Sequence, residues 1–235
     1  ARIRESSEKY ALPVANYTIG ADLLNAPSLD AEVERLCGQA DIAAILGVAG
    51  MRHDATGGFK GRERSFKIFD DALRVLAEGC RRVTEYAGEK GIRTMVENHG
   101  FFCQDSDRLE RLVSAVGKEN FGVLLDIGNF LCVDEPPEKA TGRLAPFVKH
   151  VHCKDFHVKN GNSANPGYGF FRSRAGNYLR GAIIGHGNVP VQQCLSILKK
   201  EGYKGYISME FEGMEDNMQA IEIGLDNLKR YIEQA

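Results

Sequence analysis

The chain has 235 residues, 43% apolar and 26% charged, with a formal net charge of −2. That composition supplies the core of one large domain and lacks the basic excess of a general nucleic-acid binder. No apolar run approaches the roughly 20 residues of a membrane-spanning helix, and no apolar signal segment follows the charged opening ARIRESSEKY. The expectation is a cytoplasmic protein with neither nucleic acid nor membrane as partner. Six cysteines scattered singly, without a CxxC pair, fit reduced thiols in that compartment.

In chain order, a helical opening, ARIRESSEKYA, precedes the first strand-like run, 12–19 (LPVANYTI). From Asp30 to Leu46 the apolar residues Val33, Leu36, Cys37, Ala40, Ala44 and Ile45 are expected on one helical face. Strand 47–52 (GVAGMR) leads to an amphipathic stretch over 63–89, stopped by Gly91. Strand 92–98 (IRTMVEN), a helix from Asp105 to Val116, strand 121–127 (FGVLLDI), a helix from Pro136 to Ala145 and strand 147–153 (FVKHVHC) follow. The connection from His157 to Arg180 is rich in Gly, Asn, Ser and aromatics. A connection of that length inside a compact barrel is usually functional, so it is expected to form a mobile cover. Strand 181–187 (GAIIGHG), a helix from Pro190 to Lys200, strand 205–211 (GYISMEF) and a helix from Met214 to Ile232 complete the chain.

Strands alternating with helices imply right-handed βαβ units and a parallel sheet: an α/β chain, expected to form one (β/α)8 TIM barrel domain over 1–235. Neither GxGxxG nor GxxxxGK[ST] occurs, which argues against a nucleotide-binding open sheet. Seven strands are counted where such a barrel has eight. Because the chain opens in a helix, an initial β–α unit of about 30 to 40 residues is expected to be missing from this sequence.

In parallel barrels the chemistry collects where strands end. Four predicted strands end in potential ligands: Glu97, Asp126, His152 and Glu210. Charged groups ending apolar strands are costly to bury unless paired or metal-bound. Alternation places Gly122, Leu124 and Asp126 on one face, and likewise His150, His152 and Lys154, and Tyr206, Ser208 and Glu210. Three carboxylates and one imidazole form a hard donor set, favouring one divalent ion: Mn²⁺ or Mg²⁺, with Co²⁺ or Zn²⁺ admissible. His150 is expected beside a ligand rather than as one. His53, His99, Lys154 and His186 are candidates to touch substrate. For His53, with Arg52 and Asp54, the alternative is a local ion pair; for Lys154 it is a salt bridge to a nearby carboxylate.

The ordered set MVENHG, LLDIGN, HVHCKD, the GHGNV turn and ISMEFEG resembles the xylose-isomerase-like barrels. These include sugar and sugar-phosphate isomerases and epimerases, among them ketose 3-epimerases, inosose dehydratase and hydroxypyruvate isomerase. The resemblance runs from about residue 12 to the end and implies that Glu97, Asp126, His152 and Glu210 hold one divalent ion. It also implies that Glu97 and Glu210 act as the catalytic acid/base pair. Two positions depart from the ketose 3-epimerases: Asn129 replaces a His, and Val158 replaces a substrate-binding Arg. Gly185-His186-Gly187 stands where many relatives read GEG.

The expected reaction is proton transfer next to the carbonyl of a sugar or sugar phosphate, through an enediolate held by the metal. Epimerisation, isomerisation and an inosose dehydratase-like loss of a hydroxyl all share that first step. Two rivals are an apurinic-site endonuclease of the same superfold and a non-catalytic sugar-binding barrel. Six histidines and a slightly negative charge argue against the first. A homodimer or homotetramer is an admissible assembly.

Overall fold

A computed structural model describes residues 2–235. The chain divides into two compact units: residues up to Cys103 with Asp107–Leu124, and Gln104–Ser106 with Leu125–Ala235. Among the described residues, parallel strands β1 (Tyr17–Ile19), β2 (Gly50–His53), β3 (Arg93–Glu97), β4 (Phe121–Asp126), β5 (Val148–Cys153) and β9 (Ile207–Met209) follow one another in the sheet in that order. The boundary between the units falls inside β4.

In the first unit, α1 (Arg2–Tyr10) buries no residue and is tied by an Arg4–Glu8 ion pair. Helix α2 (Leu29–Leu46) starts where Ser28 accepts a hydrogen bond from the Ala31 amide and stops at Gly47, whose φ of 77° suits glycine. Val33, Leu36, Ala40 and Ala43 bury its inner face. Helix α3 (Phe69–Gly88) begins where Asp71 accepts from the Ile68 amide, and it buries Phe69, Ala72, Leu76, Cys80 and Val83. Its Thr84 hydroxyl meets that of Thr94 on β3 at 2.6 Å, satisfying two polar groups in an otherwise apolar layer. Helix α4 (Ser106–Val116) buries Leu109, Leu112 and Val116.

The second unit continues with α5 (Pro137–Leu144), β5, β6 (Asp155–Lys159), β7 (Phe171–Arg172), β8 (Tyr178–Ala182), α6 (Val191–Lys200), β9 and α7 (Asn217–Gln234). Two sequence expectations change here. The run 181–187 is not a strand of the parallel sheet. Strand β8 ends at Ala182 and pairs antiparallel with β6 and β7 in a separate three-stranded sheet. The reason is the buried Asp155 carboxylate, which accepts from the amides of Phe156, Gly185, Gly187 and Val189 and so curls residues 183–189 into a turn. A Cβ on Gly187 would lie 2.2 Å from Asp155 Oδ1, so only glycine fits.

The 157–180 connection is the second change: this antiparallel sheet gives it regular structure. Asp134 fastens it, accepting from Ser173 Oγ at 2.6 Å, the Ala175 amide at 2.6 Å and Asn177 Nδ2 at 2.9 Å. No described helix is long and apolar enough to cross a membrane.

Candidate metal centre

Asp126 ends β4, a strand buried along its whole length. Its Oδ1 accepts the amides of Gly128 at 2.8 Å and Asn129 at 2.9 Å, which fixes the carboxylate against its own turn. The turn packs directly on the end of β5, because a Cβ on Gly128 would lie 2.6 Å from the Lys154 carbonyl oxygen. The Ile127 amide donates to the His152 carbonyl at 3.1 Å.

In β5, His152 stands opposite Ser208 of β9 in parallel register. His150 lies two residues earlier on the same face. Its Nε2 meets Ser208 Oγ at 2.8 Å, and its ring packs edge-on against that of His152 with centroids 5.4 Å apart. His150 therefore supports His152, as the alternation suggested. Glu210 follows β9 directly, its amide donating to the Cys153 carbonyl. Its Oε1 lies 3.2 Å from His152 Nδ1.

Lys154 is buried among carboxylates: Nζ lies 2.7 Å from Glu210, 3.2 Å from Glu212 and 3.6 Å from Asp126. Burial alone would lower its pKa, but Asp126 and Glu210 more than offset this and hold its ammonium well above the ordinary lysine range. The His152 ring and the Lys154 charge beside it hold the Glu210 carboxyl well below the usual carboxylate range. Asp126, His152 and Glu210 each offer a ligand atom, and these atoms lie within 4.8 Å of one another. Two carboxylates and an imidazole that converge so closely fit a divalent cation.

In the first unit, Glu97 ends β3, with Arg52 of β2 on the same sheet face: Arg52 stands opposite Met95, two residues before Glu97. The guanidinium reaches Glu97 at 2.6 Å and Asp54 at 2.9 Å. His99, on the loop beyond Glu97, is half-exposed and lies 3.6 Å from Asp54; that carboxylate raises its pKa. His53 points to the opposite face from Arg52, is fully buried and approaches the Asp54 carbonyl at 2.8 Å; burial depresses its pKa. His186 stands exposed in the turn held by Asp155. Glu97 stands opposite Leu124 of β4 in parallel register.

A family model for the xylose isomerase-like TIM barrel matches residues 1–231. The chain belongs to that family. An inosose dehydratase from Clostridium botulinum is 24% identical over 61% of the chain and 48% of its own length. The chain thus spans about half the length of the curated relatives it matches. A xylose isomerase-like TIM barrel protein from Mycobacterium smegmatis, solved with magnesium, aligns with a TM-score of 0.71 at 17% identity, over 99% of this chain and 78% of the other. D-psicose 3-epimerase, solved in the presence of D-fructose, aligns with a TM-score of 0.72 at 17% identity, over 98% and 82%. At such identities the two structures establish the shared TIM barrel fold.

Sequence reasoning missed one residue and one contact around this centre, although it did name Arg52 and Asp54 as a local ion pair, which forms. Asp155 was not singled out, because its work is done on amides some 30 positions away. The tie from Arg52 to Glu97 depends on the β2–β3 register, which periodicity does not fix.

Proposed function

We propose that the protein is a divalent-metal-dependent enzyme that moves a proton next to the carbonyl of a sugar or sugar phosphate, as an isomerase or epimerase. The observation that carries this reading is the convergence of Asp126, His152 and Glu210, with Glu97 as the fourth potential ligand. One divalent ion, Mn²⁺ or Mg²⁺ in preference to Co²⁺ or Zn²⁺, suits a set with three carboxylates, and a family member has been solved with magnesium.

When bound, the ion supplies Lewis-acid stabilisation of negative charge developing on substrate oxygen. The chain's residues do the rest. Glu97 and Glu210 form the acid/base pair: one takes the proton beside the carbonyl and, for the opposite step, the other gives one back. Lys154, beside Glu210, offers N–H donors to a substrate oxygen. His99 and His53 are further substrate-side candidates from the first unit, and His186 from the second.

A second reading, loss of a β-hydroxyl after the same proton abstraction, is favoured by the inosose dehydratase relatives. Incubation with ketoses and with an inosose in D₂O distinguishes the two. Solvent deuterium on the carbon beside the carbonyl, with substrate mass otherwise retained, marks the isomerase or epimerase. A product lighter by one water marks the lyase. If no substrate exchanges or dehydrates, the proton-transfer reading falls for those substrates, and hydride shift or binding alone takes its place.

A further inference from the structure

We infer that Arg52 is a positioning residue for the metal centre: its guanidinium fork fixes the Glu97 carboxylate, which the proposed function assigns as a ligand. The inference rests on that assignment.

Arg52 is 6% exposed and Glu97 7% exposed, so the pair lies out of bulk water. Glu97 Oε2 takes one arm at 2.6 Å. Asp54 Oδ1 takes the same nitrogen at 2.9 Å, and the Ile19 carbonyl on the neighbouring strand accepts from the other terminal nitrogen at 3.2 Å. The head group is thus held from β1, from the loop after β2 and from β3 at once. Its Nε is buried with no hydrogen-bond partner among the described residues. A side chain that leaves one buried donor unspent while meeting two carboxylates is set by those carboxylates. Such a fork is planar and rigid, and a lysine ammonium does not reproduce it.

The consequence separates geometry from charge. Removing a positive charge beside a cation site should, by Coulomb's law alone, tighten cation binding. If Arg52 positions Glu97, its removal weakens binding instead, because partners that orient a ligand typically contribute about 10–100-fold in metal affinity.

The test is titration of Mn²⁺ alone into wild type, Arg52→Met, Arg52→Lys and Glu97→Gln by calorimetry, with folding checked by circular dichroism. Arg52→Met is expected to lose about 10–100-fold in affinity. Arg52→Lys should fall between it and wild type. Wild-type or tighter affinity in Arg52→Met, or wild-type affinity in Arg52→Lys, overturns the inference. Should Arg52→Met not fold, Arg52→Lys carries the test, since it keeps the positive charge and loses only the planar guanidinium that reaches Glu97. Weakened Mn²⁺ binding there supports the inference and unchanged binding overturns it. Glu97→Gln separates the two levels. If it binds Mn²⁺ like wild type, the ligand assignment fails and the Arg52 inference falls with it. If it binds weakly while Arg52→Met binds normally, only the inference fails.

Discussion

Asp126 concentrates the local logic of the centre in one side chain. One oxygen is used by the amides of Gly128 and Asn129, which leaves the carboxylate in a single orientation. Gly128→Ala drives a methyl group into the Lys154 carbonyl. The turn must then shift, and the expected cost is about 1–3 kcal/mol of stability, together with weaker Mn²⁺ binding, read by urea unfolding and metal titration. A variant that keeps both would show that the turn does not position Asp126. Away from the centre, the Arg35 hydrogen bond to Glu32 holds that carboxyl below its ordinary value of 4.5. A depressed acid stabilises the fold above its unfolded pKa and loses that contribution as pH falls through the folded one. Arg35 is 44% exposed, so screening limits the effect to about 0.2–1 kcal/mol. Glu32→Gln should be less stable than wild type near neutral pH, and the gap should close below about pH 4.5, as measured by unfolding across pH. A gap independent of pH would assign the loss to packing.

At the scale of elements, helices were the most legible feature. Ser28, Gly47 and the apolar stripe of α2 are local signals, and the helix runs from Leu29 to Leu46, one residue from the expected start. Ser28→Ala should cost about 1 kcal/mol in thermal or urea unfolding, the usual worth of such a cap. The strand expected over 181–187 failed because a short apolar run with glycines reads alike as a parallel strand or as an antiparallel strand leading into a turn. Which it becomes is decided by Asp155, a contact across roughly 30 residues that periodicity does not carry. The 157–180 connection misread for a related reason: β6, β7 and β8 pair across it, and Asp134 anchors its far end, contacts that periodicity does not carry. Its expected role as a cover becomes a prediction about parts. Amides paired between β6 and β8 should exchange slowly, while those of 161–170 exchange fast and slow down when a substrate binds. Uniformly fast exchange over 157–180 would contradict the antiparallel sheet; an unchanged rate at 161–170 would remove the cover.

On the scale of the whole molecule, alternation of strands and helices was sufficient to read an α/β barrel, and the family match carries that fold. The four proposed ligand positions stand out in the sequence because each lies at or near the end of an apolar strand, with a residue that burial penalises. The surroundings were legible only in part: a Lys154 salt bridge to a nearby carboxylate was one of two readings and forms, but its partners, like Arg52 at Glu97 and Ser208 at His150, depend on register and on which strands become neighbours. The claim that matters most is that Glu97, Asp126, His152 and Glu210 hold one divalent ion. Elemental analysis of Mn²⁺-loaded, desalted protein beside an Asp126→Ala variant of verified fold tests it most directly. The expected result is one manganese per wild-type chain and near-complete loss in the variant; equal metal content in the two would contradict it.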